Sequence, residues 1–510
     1  MSLLNAAVYP GKSLGFFVLG ASLHDVLTRI KAEPQSFPKL DLIYSATQPV
    51  LEPVVVHLPS NGIRLRFDGP AQRLRLIEVV DFSKSRLTYS NTDVAKPATS
   101  SDTTPSAPSF RHIYRHLLGP TFPGEYLPPD DDVQDHGLYV LSYPGVAFTF
   151  PVKKSSWPHD KDHVDLLSSS ATLPAASMAI FLGESWTVAR QVLYTQEMPQ
   201  PLSLILPSKT RESIPEEIDR VKILGEGRLE MIRPWASTSF RLALGRTTPQ
   251  DLVAELGPPD AIYRKNDQRM LIHNTRTGSE PRARSIDSRL QDDSTDTDQS
   301  STYTTTDVSG DESEVDVLSE DTSGECFYNY FYQGFDILIS TKTEPSRRPP
   351  SLPANMTEPS GITSTSAPFV ATKIILHSNV PGSYPFNRHR RCRWEIDYLF
   401  SETNDVVNSE SAFEEISGRL YDEWRSIYAN EEEARQRQRG MVLNRGWGDS
   451  PGSSCELLGG WEESAGGKRR EDSNVAPDVE QSLGNTTLYG FPGLVFEVLK
   501  NGTVSGLTVF

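Results

Sequence analysis

The segment Gly334-Phe335-Asp336-Ile337-Leu338-Ile339 places an apolar residue at every second position directly after a glycine. Such alternation is typical of a β-strand that leaves a turn and buries one face. The same form, Gly-Φ-x-Φ-x-Φ with Φ apolar, occurs at three further places in the chain: residues 62–67, 145–150 and 493–498. This recurrence predicts a fold built from β-strands that each follow a glycine turn.

A second strand is predicted after three of these segments, at residues 74–79, 372–376 and 504–509. The last pair is joined by Lys500-Asn501-Gly502-Thr503, and Asn-Gly favours the tight type I′ turn of a β-hairpin. The antiparallel hairpin is therefore the predicted building block.

A short amphipathic helix is predicted before two of these hairpins. The first begins at Ser22, with Asp25 three residues later. The second begins at Thr248, with Pro249 at the first helical position and Asp251 three residues after the cap. Small hydroxyl caps, first-turn acids and a leading proline all favour helix starts.

The order helix, short strand and hairpin occurs in residues 14–90 and again in residues 240–398, which predicts two copies of one unit. The predicted fold class is α+β, with mainly antiparallel sheets made from repeated hairpins, helices on one face, and long disordered inserts. The predicted division is a first repeat (8–90), a disordered linker (91–108), a middle β-rich segment (109–239), a second repeat (240–398) interrupted by disordered inserts (276–325, acidic, and 343–367, rich in Pro, Ser and Thr), an amphipathic helix (412–428), a disordered linker (429–482) and a closing C-terminal hairpin (483–510).

The composition describes a folded core with polar inserts. The apolar share of the 510 residues is 37%, and proline and glycine together make 38 + 34 = 72 residues. Residues 286–325 hold thirteen acids against one base, Arg289, which is −12 of the net charge of −17 and leaves −5 for the remainder. A nucleic-acid-binding surface would need a basic field, so no nucleic acid partner is predicted.

The expected location is the cytoplasm, with no transmembrane segment and no signal peptide. No stretch approaches the roughly 18 consecutive apolar residues of a membrane span, and the N-terminus has no signal-peptide pattern. The three cysteines, Cys326, Cys392 and Cys455, are odd in number and far apart, which favours a reduced intracellular chain.

No reactive centre is predicted. Gly11-Lys12-Ser13 lacks the earlier glycine of a phosphate-binding loop, and Gly448-Asp449-Ser450-Pro451-Gly452 lies in a linker instead of a strand–helix turn. His112 and His116 have no glutamate at the position that a zinc-protease motif requires. The chain is therefore predicted to be no enzyme, with no catalytic, cofactor-binding or metal-binding residues.

The densest basic run holds Arg388, Arg390, Arg391 and Arg393. These arginines form a candidate patch for a phosphoinositide head group or an acidic partner, because guanidinium groups bind phosphate with two hydrogen bonds. Two alternatives stay open. The run can be a strand with a solvated charged face, because Cys392, Trp394 and Ile396 alternate with charged residues, or it can neutralise the acidic insert.

A further motif, Leu-His-x-Asn-x-Pro-Gly-x-x-x-Phe, is specific enough to suggest a family. The sequence resembles the phagosome assembly factor 1 family over nearly its whole length outside the inserts. The motif residues are His377, Asn379, Pro381, Gly382 and Phe386, followed by Cys392, and the resemblance extends over Ser13-Leu14-Gly15, Leu42-Ile43-Tyr44-Ser45, Gln72-Arg73-Leu74, Tyr328-Asn329-Tyr330-Phe331, Phe496-Glu497-Val498 and Leu507-Thr508-Val509.

This resemblance implies a non-enzymatic adaptor or scaffold in autophagy. Animal members of the family are understood to pair with a β-propeller protein and to be recruited to the forming phagophore, where the complex binds phosphoinositides. An alternative is a lipid-binding or trafficking module between the Golgi and the plasma membrane. The family has no known catalytic residues to carry over to this sequence.

Overall fold

The computed structural model consists of two units that follow each other along the chain. Nearly all of the predicted insert 276–325, the whole of the predicted insert 343–367, and most of the linkers 91–108 and 429–482 lie outside the residues that the structure describes. Those described residues are 4–95, 107–120, 124–128, 136–153, 164, 167, 173–201, 216–235, 238–264, 325–341, 368–399, 406–444 and 485–510.

The first unit contains a large sheet and a small sheet. Its strands are β1 (Leu4–Tyr9), β2 (Ser13–Leu14), β3 (Phe17–Val18), β4 (Asp41–Ile43), β5 (Val54–Leu58), β6 (Ile63–Phe67), β7 (Leu74–Val79), β8 (Ser85–Tyr89), β9 (Thr92–Asp93), β10 (Glu125–Leu127), β11 (His136–Tyr143), β12 (Val146–Lys153) and β13 (Ser177–Ile180).

The second unit is likewise made of a small and a large sheet. Its strands are β14 (Arg220–Gly225), β15 (Arg228–Ile232), β16 (Ser239–Ala243), β17 (Ala261–Arg264), β18 (Cys326–Tyr330), β19 (Phe335–Thr341), β20 (Phe369–His377), β21 (Arg393–Ile396), β22 (Met441–Asn444), β23 (Asn485–Phe491), β24 (Leu494–Leu499) and β25 (Val504–Val509).

Both predicted helix starts are confirmed. The Ser22 hydroxyl accepts a hydrogen bond from the backbone N–H of Asp25 at 3.1 Å, and Thr248 forms a reciprocal capping box with Asp251. The helices are α1 (Leu23–Ala32), α2 (Phe110–His112, continued by the wider turn Ile113–Leu117), α3 (Trp186–Ala189), α4 (Pro249–Leu256), α5 (Phe413–Trp424) and α6 (Glu431–Arg437), with 3-10 turns at Phe82–Lys84 and Arg425–Ile427.

The two large sheets have the same strand order. The first runs β4-β5-β6-β7-β13-β12-β11-β10 and the second runs β17-β18-β19-β20-β25-β24-β23-β22. In each, four consecutive antiparallel strands are extended by a later group of four strands, whose last member pairs with the fourth strand. The two large sheets are antiparallel throughout, in agreement with the predicted, mainly antiparallel fold.

The two small sheets are also alike. Their orders are β3-β2-β1-β8-β9 and β16-β15-β14-β21, and each contains one parallel pair, β1 with β8 and β14 with β21. The shared strand order agrees with the predicted repeat, but each repeated unit is longer than predicted. Each unit begins at its small sheet (β1 or β14) and ends at β13 or β25, so the predicted middle segment 109–239 divides between the two units.

A glycine turn precedes each of the four strands on which the fold prediction rests. Gly62, Gly145, Gly334 and Gly493 all have positive φ, between 66° and 89°, before β6, β12, β19 and β24. Space is also limiting at Gly334, where a Cβ atom would lie 2.4 Å from the carbonyl oxygen of Arg390. A side chain at these turns would be strained, which explains why the pattern repeats.

Each unit has its own core. In the first, α1 and α2 pack beneath the large sheet through Leu27, Ile30 and Phe110. In the second, α4 and α5 take the corresponding places, and the predicted packing of the amphipathic helix on the core is confirmed by buried Ile416 and Leu420. Helices are not restricted to one face, because α3 covers the opposite face of the first large sheet.

Part of the predicted linker 429–482 is regular structure. Helix α6 forms because the side chain of Asn430 accepts from the backbone N–H of Glu433 at 2.7 Å and Arg437 pairs with Glu433 at 2.7 Å. Strand β22 then pairs with β23, so the predicted closing hairpin is a three-stranded meander whose first strand also has a partner. Among the described residues, no helix is both long and apolar enough to cross a bilayer.

Candidate functional site

The connection from β20 to β21, residues 378–392, reaches the first unit. Asn379 donates from Nδ2 to Oε1 of Gln72 at 2.8 Å, and Gln72 donates from Nε2 to the carbonyl of Asn379 at 2.9 Å. Both residues are buried and both have positive φ, 46° and 51°. The side-chain oxygen of Asn379 also accepts from the backbone N–H of Asn387 at 2.7 Å. We call the contacts of residues 377–393 with the rest of the chain the junction.

Arg391 links three parts of the chain at the junction. Its Nε donates to the carbonyl of Pro70 in the first unit at 2.6 Å. Its Nη atoms donate to the carbonyls of Ser378 and Ser409 at 2.7 and 3.4 Å, and to Oε1 of Glu410 at 3.1 Å. Its side chain is completely buried. A buried guanidinium group is stable only when its donors are matched in this way.

A second buried charge cluster joins the units through Glu217. Arg73 of the first unit donates to its Oε2 at 2.8 Å, and Nη1 of Arg390 lies 3.0 Å from the same oxygen. Burial raises the pKa of Glu217, but the guanidinium groups of Arg390 and Arg73 outweigh burial and hold it below its usual range. The cluster is therefore charged, with one carboxylate shared by two guanidinium groups.

Asp336, His377 and His389 form a triad on the second large sheet. Nε2 of His377 lies 2.9 Å from one carboxylate oxygen of Asp336, and Nε2 of His389 lies 2.9 Å from the other. The two imidazole rings stack with centroids 3.8 Å apart and planes 13° apart. Asn329 adds a donor to the carboxylate at 2.8 Å.

The protonation of the triad follows from its burial. Burial, followed by the charge of His377, lowers the pKa of His389 to about 4. Burial raises the pKa of Asp336, but hydrogen bonds from both imidazoles outweigh burial and hold it well below its usual range. The stable arrangement is a charged Asp336 carboxylate that accepts a hydrogen bond from the neutral imidazole of His389.

The triad is also the one set of side chains in the described part of the chain with the spacing of metal ligands. Its three ligand atoms lie within 4.8 Å of one another. The sequence search missed it because Asp336 is far from both histidines along the chain. The near-parallel rings place their Nε2 atoms at hydrogen-bonding distance from the carboxylate, so these contacts need no ion.

The four arginines of the candidate lipid patch lie in different environments. Arg388 is exposed, Arg390 and Arg391 are buried in the junction, and Arg393 is part-buried and bonded to Glu410 at 3.0 Å. The alternation of Cys392, Trp394 and Ile396 is confirmed, because all three are buried. Binding of lipid or a partner by the four arginines stays a prediction, and Arg388 is the member that solvent reaches freely.

The remaining motif residues also belong to the junction. Gly382 has φ 81°, and a Cβ atom there would lie 2.3 Å from the hydroxyl of Tyr44 in the first unit. Phe386 packs against the core of the first unit, and Pro381 is buried. Cys392 is a buried free thiol, and burial raises its pKa to about 12. Asn379, Gly382 and Phe386 of the motif thus contact the first unit, whereas His377 bonds to Asp336 within the second unit.

The fold and the junction define a class of protein: two α+β units of the same strand order, held together by buried polar side chains of one long connection. Comparison with known proteins identifies the family. The sequence model described as "Phagosome assembly factor 1" matches residues 13–287 and 363–510. The chain belongs to the phagosome assembly factor 1 family, which confirms the resemblance seen in the motif.

Relatives of similar length occur in plants and animals. The chain is 24% identical to a PHAF1 protein of Arabidopsis thaliana, covering 98% of this chain and 92% of the relative, and 22% identical to one of Drosophila melanogaster, covering 100% and 94%. A PHAF1 protein of Caenorhabditis elegans is 24% identical over 79% of this chain and 78% of the relative. No solved structure matches the chain.

Proposed function

We propose that this protein is a non-enzymatic adaptor in autophagy, acting at the phagophore assembly site with a β-propeller protein as its partner. The observation that carries the proposal is that the family motif is used internally. Its residues Asn379, Gly382 and Phe386 all contact the first unit. The family description, an assembly factor, supports the same conclusion.

Such a junction suits an adaptor because it fixes two large sheets in one arrangement. Buried hydrogen bonds and ion pairs depend strongly on geometry, so they favour a single relative placement of the units. A partner then meets a surface that is already organised, which lowers the entropy lost on binding. The residues that form the junction would thus serve binding indirectly.

Among the described residues, the polar side chains of the junction do not line the surface depression at α6. A cavity of about 380 Å³ is lined by charged and polar side chains of α6 and its C-terminal flank, and no junction residue lines it. Catalysis needs a nucleophile or base together with room for a substrate. The junction supplies neither group to this depression.

Affinity purification of the full chain from cells, read by quantitative mass spectrometry, tests this function. We expect a β-propeller protein to be recovered in near-equal amount with the wild-type chain. An unrelated protein of similar charge serves as the control bait. Recovery of the chain without a propeller protein would contradict the proposal.

Direct phosphoinositide binding is the second candidate, and the exposure of Arg388 favours it. Flotation of the purified chain with phosphatidylcholine vesicles, with and without phosphatidylinositol phosphate, separates the two functions. If the chain binds lipid directly, flotation should require the phosphoinositide and should be lost in Arg388→Glu. Recruitment through the partner predicts no flotation of the isolated chain. A role in traffic from the Golgi to the plasma membrane is the remaining alternative, and it would require such binding on Golgi-derived membranes.

A further inference from the structure

Two histidines of the junction stack on each other and share one carboxylate. His377 ends β20, and His389 lies in the connection that follows it. Their rings are nearly parallel, with centroids 3.8 Å apart, and each places its Nε2 atom 2.9 Å from a different oxygen of Asp336. We call this pair the histidine stack. A single negative charge thus serves two groups that can each become positive.

The other ring nitrogen of His389 is buried without a partner. The side chain is only 3% exposed, and none of the described residues forms a hydrogen bond with its Nδ1 atom. A neutral ring that donates from Nε2 tolerates this position, because Nδ1 is then an acceptor without a proton. A protonated ring carries an N–H at Nδ1 as well, and a buried charged donor without an acceptor is strongly unfavourable. The closed junction therefore fits the neutral form of His389 and not the charged form.

The surroundings of His389 oppose a proton on balance. Burial is the largest opposing effect, followed by the charge of His377 on β20, and Arg388 of the connection itself adds to both. The carboxylate of Asp336 on β19 favours the proton, but it is already bonded to His377. Together these groups lower the pKa of His389 to about 4. The charge balance and the buried Nδ1 atom thus point in the same direction.

The residues directly after His389 hold the two units together. The side chain of Arg390 lies 3.0 Å from Glu217, the carboxylate that is shared with the first unit. Arg391 donates from Nε to the carbonyl of Pro70 in the first unit at 2.6 Å. Both arginines follow the ring within two residues, so a ring that moves into solvent carries them away from these partners.

We propose that the histidine stack is an acid-sensitive latch on the junction: when His389 takes up a proton, its ring leaves the stack, and Arg390 and Arg391 part from their partners while both units stay folded. This inference does not rest on the adaptor function, because it involves no partner protein. It concerns a local opening of the junction and not the unfolding of the chain.

The direction of the effect follows from the two forms of the latch. In the open form His389 is solvated and takes up its proton near the ordinary pKa of about 6.5, whereas in the closed form it does so only near pH 4. The open form therefore binds the proton more readily, and acid favours it. The open fraction should rise roughly tenfold for each pH unit below about 6, until the closed form is itself protonated.

Hydrogen exchange of the purified full chain at about pH 7 and about pH 5, with EDTA present, tests the latch. The backbone N–H groups of Arg390 and Cys392 donate to the carbonyls of Phe331 and His377, both at 2.8 Å. After correction for the intrinsic pH dependence of exchange, their protection should fall at least tenfold in acid. The core strand Ile63–Phe67 should keep its protection over the same range. Unchanged protection at the junction, or an equal loss in both regions, would overturn the proposal.

One variant and a matched control assign the effect to His389. His389→Gln keeps an N–H donor for Asp336 but takes up no proton in this range, so its junction should be equally protected at both pH values. The control is His57→Gln, because His57 also lies near a carboxylate, 3.7 Å from Asp41, but on β5 of the first unit. It should open in acid as the wild type does. Acid-induced opening that persists in His389→Gln would overturn the latch, and the wild-type measurement decides the proposal by itself if that variant does not fold.

Discussion

The two units differ in the connection that follows the fourth strand of each large sheet. Between β7 and β8 the chain needs only residues 80–84, where the Asp81 carboxylate accepts from the backbone N–H of Ser83 at 3.0 Å and lies 3.3 Å from the ammonium of Lys84. At the corresponding place in the second unit, the connection is the longer segment 378–392, which makes the contacts of the junction. The strand order is the same with either connection. The long form is therefore not needed to build a unit, and its residues act in joining the two.

Arg391→Ala should give the largest effect, because it removes every contact that this side chain makes with Pro70, Ser378, Ser409 and Glu410. We expect a loss of about 3–5 kcal/mol in the free energy of unfolding, measured by denaturant titration. The matched change in the short connection, Lys84→Ala, should cost less than about 0.5 kcal/mol, because Lys84 is exposed. Equal losses in the two variants would end the distinction between the connections.

Acid should weaken the junction more than the short connection. The pKa of His389 is lowered to about 4 in the folded chain, against 6.5 for the free side chain. The unfolded chain therefore takes up this proton first as the pH falls. Stability should be complete above about pH 6.5 and decrease by up to roughly 3 kcal/mol as the pH falls to about 4. The lowered pKa of Asp336 adds a loss of the same sign at lower pH.

His389→Gln tests the source of this pH dependence. Glutamine keeps an N–H donor for Asp336 but cannot take up a proton in this range. Unfolding free energies measured from about pH 7 to about pH 4.5 should be flatter for the variant than for the wild type. Parallel curves for the two proteins would show that His389 is not responsible.

The amide pair between the units should show direct coupling. In a double-mutant cycle of Gln72→Ala and Asn379→Ala, we expect a coupling energy of about 1 kcal/mol, because one short buried hydrogen bond joins the two side chains. Asn501→Ala is the comparison, since Asn501 also crosses to the first unit but is exposed. Its combination with Gln72→Ala should be additive. Additivity of the first pair would mean that each residue acts only within its own unit.

Thiol labelling compares the accessibility of the junction with that of strand β18, and it requires no substitution. Cys392 is buried at the end of the long connection, and its pKa is raised to about 12, so little reactive thiolate is present. Cys326 is only part-buried, in β18. Alkylation followed by peptide mass spectrometry should find Cys326 modified well before Cys392. Equal alkylation rates of Cys326 and Cys392 would show that the junction opens as readily as strand β18.

Local signals in the sequence predicted the elements well. Glycine before an alternating run marked β6, β12, β19 and β24, because turn geometry and one-sided burial both leave their mark in neighbouring residues. The caps at Ser22 and Thr248 were equally visible. These features depend on contacts only a few residues apart, which is why one sequence sufficed to find them.

The junction depended on contacts far apart in the sequence and was not predicted. Gln72 and Asn379 meet across the two units, and Asp336 meets His389 only after the long connection folds back. The arginine run read as a surface patch because charged residues are rarely buried. The parallel pairing of β14 with β21 was also not predicted, because the two strands are widely separated in the chain.

The position of β25 determines when the second large sheet can be completed during translation. In the second large sheet, β25 lies between β20 and β24, so it is an interior strand that joins the two groups of four. During translation, the ribosome releases the first unit long before Val504–Val509 emerges. Until then β20 has one free side, and a nascent chain stalled or truncated shortly before this strand would expose an unpaired apolar strand to chaperones and proteases.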